Sequence, residues 1–374
     1  MTKIAWRMLA FHPLRLAMTW AGLGFLLFLS QAQLGMLIGW CATCTAIIRH
    51  SGADLWVMAK GTCAFDYGGE IPLSTLYKSR SVPGVLRADP MMMTWNFWQS
   101  ADGRRTSIEL VGLDADAVGG PWNILCGAPD ATHIDDGVII DELYLAMLGV
   151  TGLGDEAELY GQRAVVRGIC SGIRTLTASP FVFTSLSSAR KFDTHYSADE
   201  ITYVMIRCAD LQSMEAVRTR LLNELVGVEV LTGTEFEWRT ILYWMLETGL
   251  GMTVVLTAAL GFAVSTLVGS QVLFAVTQEN LANYATLSAL GFTAWQHLKC
   301  IVCQALLLTL GGVLIALGLF QIAAGATART PVPLEMTLNV QIMLLGLFLI
   351  TGLAATAMSM RLVLGKKATD VFLG

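Results

Sequence analysis

Charge is scarce in this chain: 14% of its 374 residues are Asp, Glu, Lys or Arg, where a soluble domain carries roughly 25%. A wholly water-soluble fold is thereby excluded. Histidine is scarce too, at five residues. They are scattered, with no His-Glu-x-x-His pair and no Ser–His–Asp order, so zinc-dependent hydrolysis and triad chemistry have no footing. No Gly-rich loop ending in Gly-Lys-Ser/Thr occurs, so the P-loop that cradles nucleotide phosphates is missing. The chain reads as a non-enzyme, with no catalytic, cofactor-binding or metal-binding residues of its own. Low-complexity tracts and short internal repeats are missing as well. A net charge of −5 does not suit nucleic acid, which calls for a basic patch.

What the chain has in quantity is apolar sequence, with 54% hydrophobic residues and a mean hydropathy of +0.59. Four blocks, 16–48, 241–276, 301–328 and 338–360, each reach the ~20 residues that cross a bilayer as a helix. Glu247 is their one charge. The sequence predicts an integral membrane α-helical protein with four transmembrane helices. The apolar run after the basic N-terminus is too long for the core of a cleaved signal peptide, so the first span is expected to stay as an anchor. Its 33 residues would extend roughly 50 Å, against a bilayer core of about 30 Å. Its outer end is therefore expected to project as a stalk. The second span is expected to do the same, its helical pattern beginning near Glu235.

Basic residues in short loops set orientation. With both termini and the loop 277–300 inside, the inner side holds Lys3, Arg7, Arg15, Lys299, Arg361, Lys366 and Lys367 against Glu279 and Asp370. Both ends are thus expected in the cytoplasm, and the acidic surplus falls to the outer side. The organisation this predicts is an amphipathic cytoplasmic helix (1–15), a first span and stalk (16–48), a large outer domain (49–239), and a second stalk and span (240–276). A cytoplasmic loop (277–300), third span (301–326), short outer loop (327–337), fourth span (338–360) and cytoplasmic tail (361–374) follow. Pro331 and Pro333 force extended backbone in the short outer loop.

The outer domain reads as mixed α/β. Residues 54–59, 107–112, 163–169, 201–207 and 228–231 have the β-branched, alternating character of strands. Residues 72–80 and 211–225 have that of helices. The strand–helix–strand order over 201–231 suggests a small α/β lobe.

Two Cys-x-x-Cys pairs, Cys41/Cys44 and Cys300/Cys303, fall on opposite sides of the bilayer and so share no metal. Each pair is one helical turn apart and reads as small buried hydrophobes. Cys63, Cys126, Cys170 and Cys208 lie in the outer domain, where one or two disulfides are open and the pairing is not readable. Glu247, near the outer leaflet, reads either as a functional intramembrane group or as an interfacial carboxylate in reach of water. Trp40, Tyr243 and Trp244 fit an interfacial aromatic belt. With Gln31, Gln33 and Glu247 they either line a substrate cavity between the stalks or pack helices together. Gly249, Gly251, Gly261 and Gly269 allow close helix approach.

The segment 277–291 is a polar, helix-compatible stretch wedged between two apolar spans. Leu281, Tyr284, Leu287 and Leu290 recur at three-residue steps and make a slowly drifting apolar stripe. Gln278, Glu279, Asn280 and Asn283 supply polar positions, and Gly291 is placed to end the helix. A short amphipathic helix at this position either docks into a partner and passes a push into the bilayer, or is a solvated connection.

The run Asn283-Tyr-Ala-Thr-Leu-Ser-Ala-Leu-Gly-Phe292, followed by Cys303-Gln-Ala-Leu-Leu-Leu-Thr-Leu-Gly-Gly312, resembles the cytoplasmic loop and third span of the MacB/FtsX superfamily of ABC permeases. Its Tyr-Ala-Thr-Leu form is most similar to the DevC-type branch. Trp6-Arg-Met-Leu with His12-Pro-Leu-Arg15 resembles that family's entry helix. Ala53-Asp-Leu-Trp-Val-Met and Val82-Pro-Gly-Val-Leu-Arg-Ala-Asp-Pro90 resemble its first outer segments, and Ala368-Thr-Asp-Val-Phe372 its closing motif. The resemblance implies a type VII permease that dimerises and binds a separate ATPase, with ATP and Mg on that partner. On this chain the ATPase-coupling role falls on Gln278, Glu279, Asn280, Tyr284, Leu287, Leu290 and Gly291. Asn280, Ala282 and Asn283 stand where many members carry charge, which weakens the expectation of salt bridges to the ATPase but leaves the docking role. The resemblance further implies the bacterial inner membrane, a periplasmic adaptor and outer-membrane channel, and export of a lipid, glycolipid or similar amphiphile. Release of lipoproteins, or FtsX-like regulation of a cell-wall hydrolase, are the alternatives it leaves.

Overall fold

The structure, a computed structural model, describes residues 2–114, 116–127, 134–193 and 197–365, and the side chains of all of these except Leu211 and residues 355–365. The closing motif at 368–372, with Lys366, Lys367 and Asp370, lies outside the described residues. The helices are α1 (Thr2–Ala10), α2 (Pro13–Cys44), α3 (Ala46–His50), α4 (Ser74–Ser81), α5 (Leu145–Leu148), α6 (Leu186–Phe192), α7 (Met214–Glu224), α8 (Gly233–Leu242), α9 (Leu250–Glu279), α10 (Leu281–Ala289), α11 (Ala294–Thr327) and α12 (Leu338–Gly365). The strands are β1 (Leu55–Ala59), β2 (Ile71–Pro72), β3 (Val85–Ser100), β4 (Arg105–Leu113), β5 (Ile124–Gly127), β6 (Gly137–Asp141), β7 (Glu156–Leu159), β8 (Gln162–Cys170), β9 (Phe181–Ser185), β10 (Glu200–Ile201), β11 (Tyr203–Cys208) and β12 (Val228–Thr232). Two compact units result, one of Met1–Gly39, Met252–Ala328 and Pro333–Gly374, the other of Trp40–Gly251 and Arg329–Val332.

In the first unit, α2, α9 and α11 are long and apolar enough to cross a membrane, and α12 is apolar over Leu338–Ala354. Lipid tails are as apolar as leucine, so such helices adhere through close backbone approach more than through hydrophobicity. The glycines show where. A side chain at Gly24 of α2 would meet Ile315 of α11 at 2.7 Å, and one at Gly312 of α11 would meet Leu23 at 3.0 Å. Trp20 lies over Gly311, and its indole N–H donates to the Leu307 carbonyl at 3.2 Å. Gly261 and Gly269 of α9 bring Gln33 and Phe348 into contact. Of the glycines marked in the second span, Gly249 serves a different purpose: its φ of +71° breaks the helix.

The second unit is built on β3, a strand that belongs to two constructions. Six strands close a ring: β3 pairs with β4, β4 with β9, β9 with β6, β6 with β8, β8 with β7, and β7 returns to β3. Alternate residues from all six, among them Trp98, Ile108, Ile140, Leu159, Val166 and Val182, meet in one cluster that fills the ring. From β3 an open wing continues through β11 and β1 to β12. Its two faces are both covered, as the alternation of β1 requires. Trp56 and Met58 join Phe65, Tyr203 and Phe236 on one side. Leu55 and Val57 join Leu76, Val217 and Leu221 of α4 and α7 on the other. The unit β11–α7–β12 is a crossover that skips one strand, since both strands flank β1.

Thr232 starts α8 with a capping box, its hydroxyl accepting from the Glu235 N–H at 3.2 Å while the Glu235 carboxylate takes the Thr232 N–H at 2.9 Å. The helix then changes to a π-helical turn over Tyr243–Glu247 and stops at Gly249. The continuous second stalk expected from near Glu235 is therefore interrupted, and Glu247 lies exposed in the π turn ahead of α9. All eight cysteines are free; Cys63 and Cys126 are exposed, Cys170 and Cys208 buried.

Candidate functional site

The segment proposed for coupling is assembled by short-range hydrogen bonds. Helix α9 runs to Glu279, so Gln278 and Glu279 form its last turn and Asn280 joins it to α10. The Asn280 amide donates to the Val276 carbonyl at 2.8 Å, and the Asn283 amide donates to Asn280 Oδ1 at 3.0 Å. At the far end, Gly291 has φ +89°. Its N–H donates to the Ser288 carbonyl at 3.0 Å and that of Phe292 to the Leu287 carbonyl at 3.1 Å. This is the Schellman pattern, which satisfies the last carbonyls of a helix and demands a residue at ease with positive φ.

Packing divides the apolar stripe. Three residues turn a helix by about 300°, so each step falls ~60° behind the last. Tyr284, 1% exposed, lies among Ala5 of α1 and Cys300 and Ile301 of α11, and its hydroxyl donates to Gln304 Oε1. Leu287 is partly buried in the same cluster, whereas Leu290 is 75% exposed. Ser288 and His297 Nε2 hydrogen-bond at 2.9 Å, and Arg15 pairs with Glu279 at 3.1 Å at the surface. The N-terminal helix, α10 and the start of α11 are thus packed together in one cluster. Beside it, a cavity of about 460 Å³ is lined by Arg7, Met8, His12, Arg15, Asn283 and Leu287. The exposed side of α10 carries Ala282, Asn283 and Thr286, with Leu290 exposed at its C-cap and Gln278 exposed before it. Sequence reasoning counted Tyr284 with the contact residues; the structure makes it an internal anchor. It missed Thr286, whose place on the outer face follows from helical spacing to Asn283.

The six residues considered for an outer-leaflet cavity do not gather within either unit. Trp40, Tyr243 and Trp244 meet in the second unit with Cys44, Ala64 and Leu176. Trp40 and Trp244 are 5% and 6% exposed, and these rings pack against one another and their neighbours. Glu247 is exposed nearby in sequence. Gln31 and Gln33 belong to the first unit. Gln31 is fully buried, with neither its amide oxygen nor its nitrogen partnered. One contact had no sequence signal at all: the Trp244 indole N–H donates to Asp66 Oδ2 at 2.9 Å.

The family model described as the MacB-like periplasmic core domain matches residues 38–224, half of the chain. The chain belongs to the MacB-like permease family. It is an ABC transporter permease with membrane-spanning helices and a mixed α/β periplasmic domain. Among solved structures, the MacB-like chain is similar to the periplasmic region of MacB from Actinobacillus actinomycetemcomitans, at 12% identity over 51% of this chain and 94% of that one, with a TM-score of 0.39. It is also similar to the extracellular domain of the noncanonic ABC-type transporter YknZ from Gram-positive bacteria, at 15% identity over 48% and 99% of the two chains, TM-score 0.37. A domain of a putative permease from Porphyromonas gingivalis is similar at 13% identity over 48% and 86%, TM-score 0.32. No curated protein matches the sequence.

Proposed function

We propose that this MacB-like permease is the membrane subunit of a mechanotransmission exporter. In this reading four helices, α2, α9, α11 and α12, cross the inner membrane with both chain ends in the cytoplasm. Two copies pair, each receiving one separate ATPase that carries the ATP and Mg. MacB-like permeases work with ABC ATPase partners and often dimerise. ATPase closure is delivered to α10, and because α10 is packed on α1 and α11, the push enters the bilayer through several helices together. The cargo is an amphiphile taken from the periplasm or outer leaflet, passed to a periplasmic adaptor and outer-membrane channel, as in the DevC-type branch.

The observation that carries this reading is the helix Leu281–Ala289, anchored inward by Tyr284 and leaving Asn283, Thr286 and Leu290 to water. Leu290→Asp is expected to abolish co-purification of the ATPase while the permease inserts and unfolds as the parent does. Retained ATPase would sink the coupling assignment. Mass spectrometry of what co-purifies with the parent separates the cargo readings. An adaptor with bound lipid supports export, whereas a lipoprotein chaperone or a cell-wall hydrolase without an adaptor replaces it with release or regulation.

A further inference from the structure

Two carboxyl groups lie buried together in the periplasmic unit, and the transport reading makes no use of them. Glu109 is fully buried and Asp66 is 7% exposed. Alternation along β4 sends Ile108 and Leu110 into the ring and Glu109, with Val111 and Leu113, to the opposite face beside Phe181 of β9. Asp66 sits in a single 3-10 turn, Phe65–Tyr67, fixed from three sides. The Phe65 N–H donates to Thr240 Oγ1 at 3.3 Å, the Tyr203 hydroxyl to the Phe65 carbonyl at 2.7 Å, and the Trp95 indole to the Asp66 carbonyl at 3.0 Å. Neither carboxyl therefore has freedom to move away from the other.

The donors reaching the pair are unequal. Asp66 Oδ2 accepts from the Trp244 indole. Glu109 Oε1 accepts from the hydroxyls of Thr177 and Thr175. Glu109 Oε2, buried, receives no N–H or hydroxyl donor. Thr175, a donor to Glu109 Oε1, also lines the small cavity that Asp66 borders, so the two carboxyl groups are near neighbours. Two ionised carboxylates buried as neighbours repel each other, and a buried oxygen without a partner is costly. One proton, carried by Glu109, removes one of the two charges and the cost of a buried, unpartnered carboxylate oxygen.

We propose that Asp66 and Glu109 form a binding site for a single proton, and that its occupancy sets how the periplasmic unit grips Trp244 in the π-helical turn. The reading stands apart from the transport assignment and needs no ATPase. Burial, and next the Asp66 charge, push Glu109 well above the usual carboxylate range; burial pushes Asp66 up, opposed by its bond from Trp244. The other titratable groups around the pair are Tyr67 and Tyr243 on the Trp244 side, Cys44 of α2, and Tyr144 and Arg174 toward β6, with Asp141 beyond Tyr144. A cavity of about 10 Å³ lined by Thr43, Asp66, Arg174, Thr175 and Trp244 has room for about one water, the route by which the proton exchanges. Release leaves two carboxylates and sends the proton to solvent through that water. The second charge then falls beside the held Asp66 carboxylate and changes the acceptor that grips Trp244.

The test uses the full-length chain in lipid nanodiscs. Infrared spectroscopy counts protonated carboxyl groups against pH, and emission of the parent minus Trp244→Phe isolates that indole. The expected result is a protonated carboxyl that persists above the ordinary Glu value of about 4.3, lost in Glu109→Gln, with Trp244 emission changing at the same midpoint. Thr177→Val, which removes a donor to the ionised form, raises that midpoint by roughly one pH unit. An absent carboxyl band overturns the proposal, as does a band that appears only after Na⁺ or Ca²⁺ is withdrawn, which would mean a cation between two carboxylates. Trp244 emission indifferent to the carboxyl titration overturns the link to the π turn. If Glu109→Gln does not fold, an unmoved midpoint in Thr177→Val overturns the site by itself.

Discussion

Glu109 occupies a strand position at which the alternation of β4 calls for a valine or an isoleucine. Its raised proton affinity is also a statement about stability. The folded unit keeps a proton that the unfolded chain gives up above the ordinary Glu value of about 4.3. The contribution is therefore complete at lower pH, declines as pH rises through the folded value, and is flat beyond it. Thermal unfolding of the periplasmic unit is expected to shift downward as pH rises above that ordinary value, and this slope is expected to be shallower in Glu109→Gln; equal slopes would assign the pH dependence elsewhere. Strand character around Glu109 was legible, but its partner was not, since Asp66 arrives from a turn distant in sequence. Tyr284 makes a similar point. Its place in the apolar stripe was readable, but its orientation depends on Gln304 and Ala5, which only packing reveals. Tyr284→Phe strands the buried Gln304 oxygen and is expected to cost about 1–3 kcal/mol, read as a lowered unfolding midpoint of the purified permease.

Among the elements, the membrane helices were the most legible, because hydropathy adds residue by residue along one segment and needs no knowledge of partners. Their contacts were less so. The glycines that bring α2 and α11 together lie at Gly24, Gly311 and Gly312, whereas the sequence drew attention to those of the second span. Gly311→Leu would drive a side chain into the Trp20 indole and break its bond to the Leu307 carbonyl. Overpacking of this kind costs typically 1–3 kcal/mol, so a destabilised variant that still reaches the membrane is expected. A chemical-unfolding series in detergent measures it, and Gly318→Leu, where a side chain meets open space, is the matched control expected to show no change. In the periplasmic unit β3 escaped the sequence reading because Pro90 interrupts its pattern. The structure tolerates it because Pro90 pairs only toward β11, and pairing with β4 begins one residue later at Met91.

At the scale of the whole molecule, the two units were visible as an alternation of apolar and mixed sequence, but the closed ring was not, since it is completed by β7 returning to β3 across a long chain interval. Nor was the break in the second stalk, which arises from one residue too many for an α-helix over Tyr243–Glu247 and the positive φ of Gly249. A π turn stores an insertion: removing one residue restores the α register, and such turns recur at functional sites. Here the turn carries Trp244, whose indole donates to Asp66, and precedes α9, the helix that ends at the segment proposed for coupling. In the proposed coupling, this turn is the next element along the chain from α9. Deleting Leu246, which is exposed, is therefore expected to leave ATPase binding through α10 and basal ATP hydrolysis intact while abolishing stimulation by substrate. Measuring both rates on the reconstituted permease–ATPase complex decides it. Loss of basal hydrolysis as well would mean the deletion had damaged the fold, which Thr232→Ala, weakening the α8 cap by about 1 kcal/mol without changing register, would reproduce in milder form. Full stimulation in the deletion would show that transmission bypasses the π turn and runs through α2 alone.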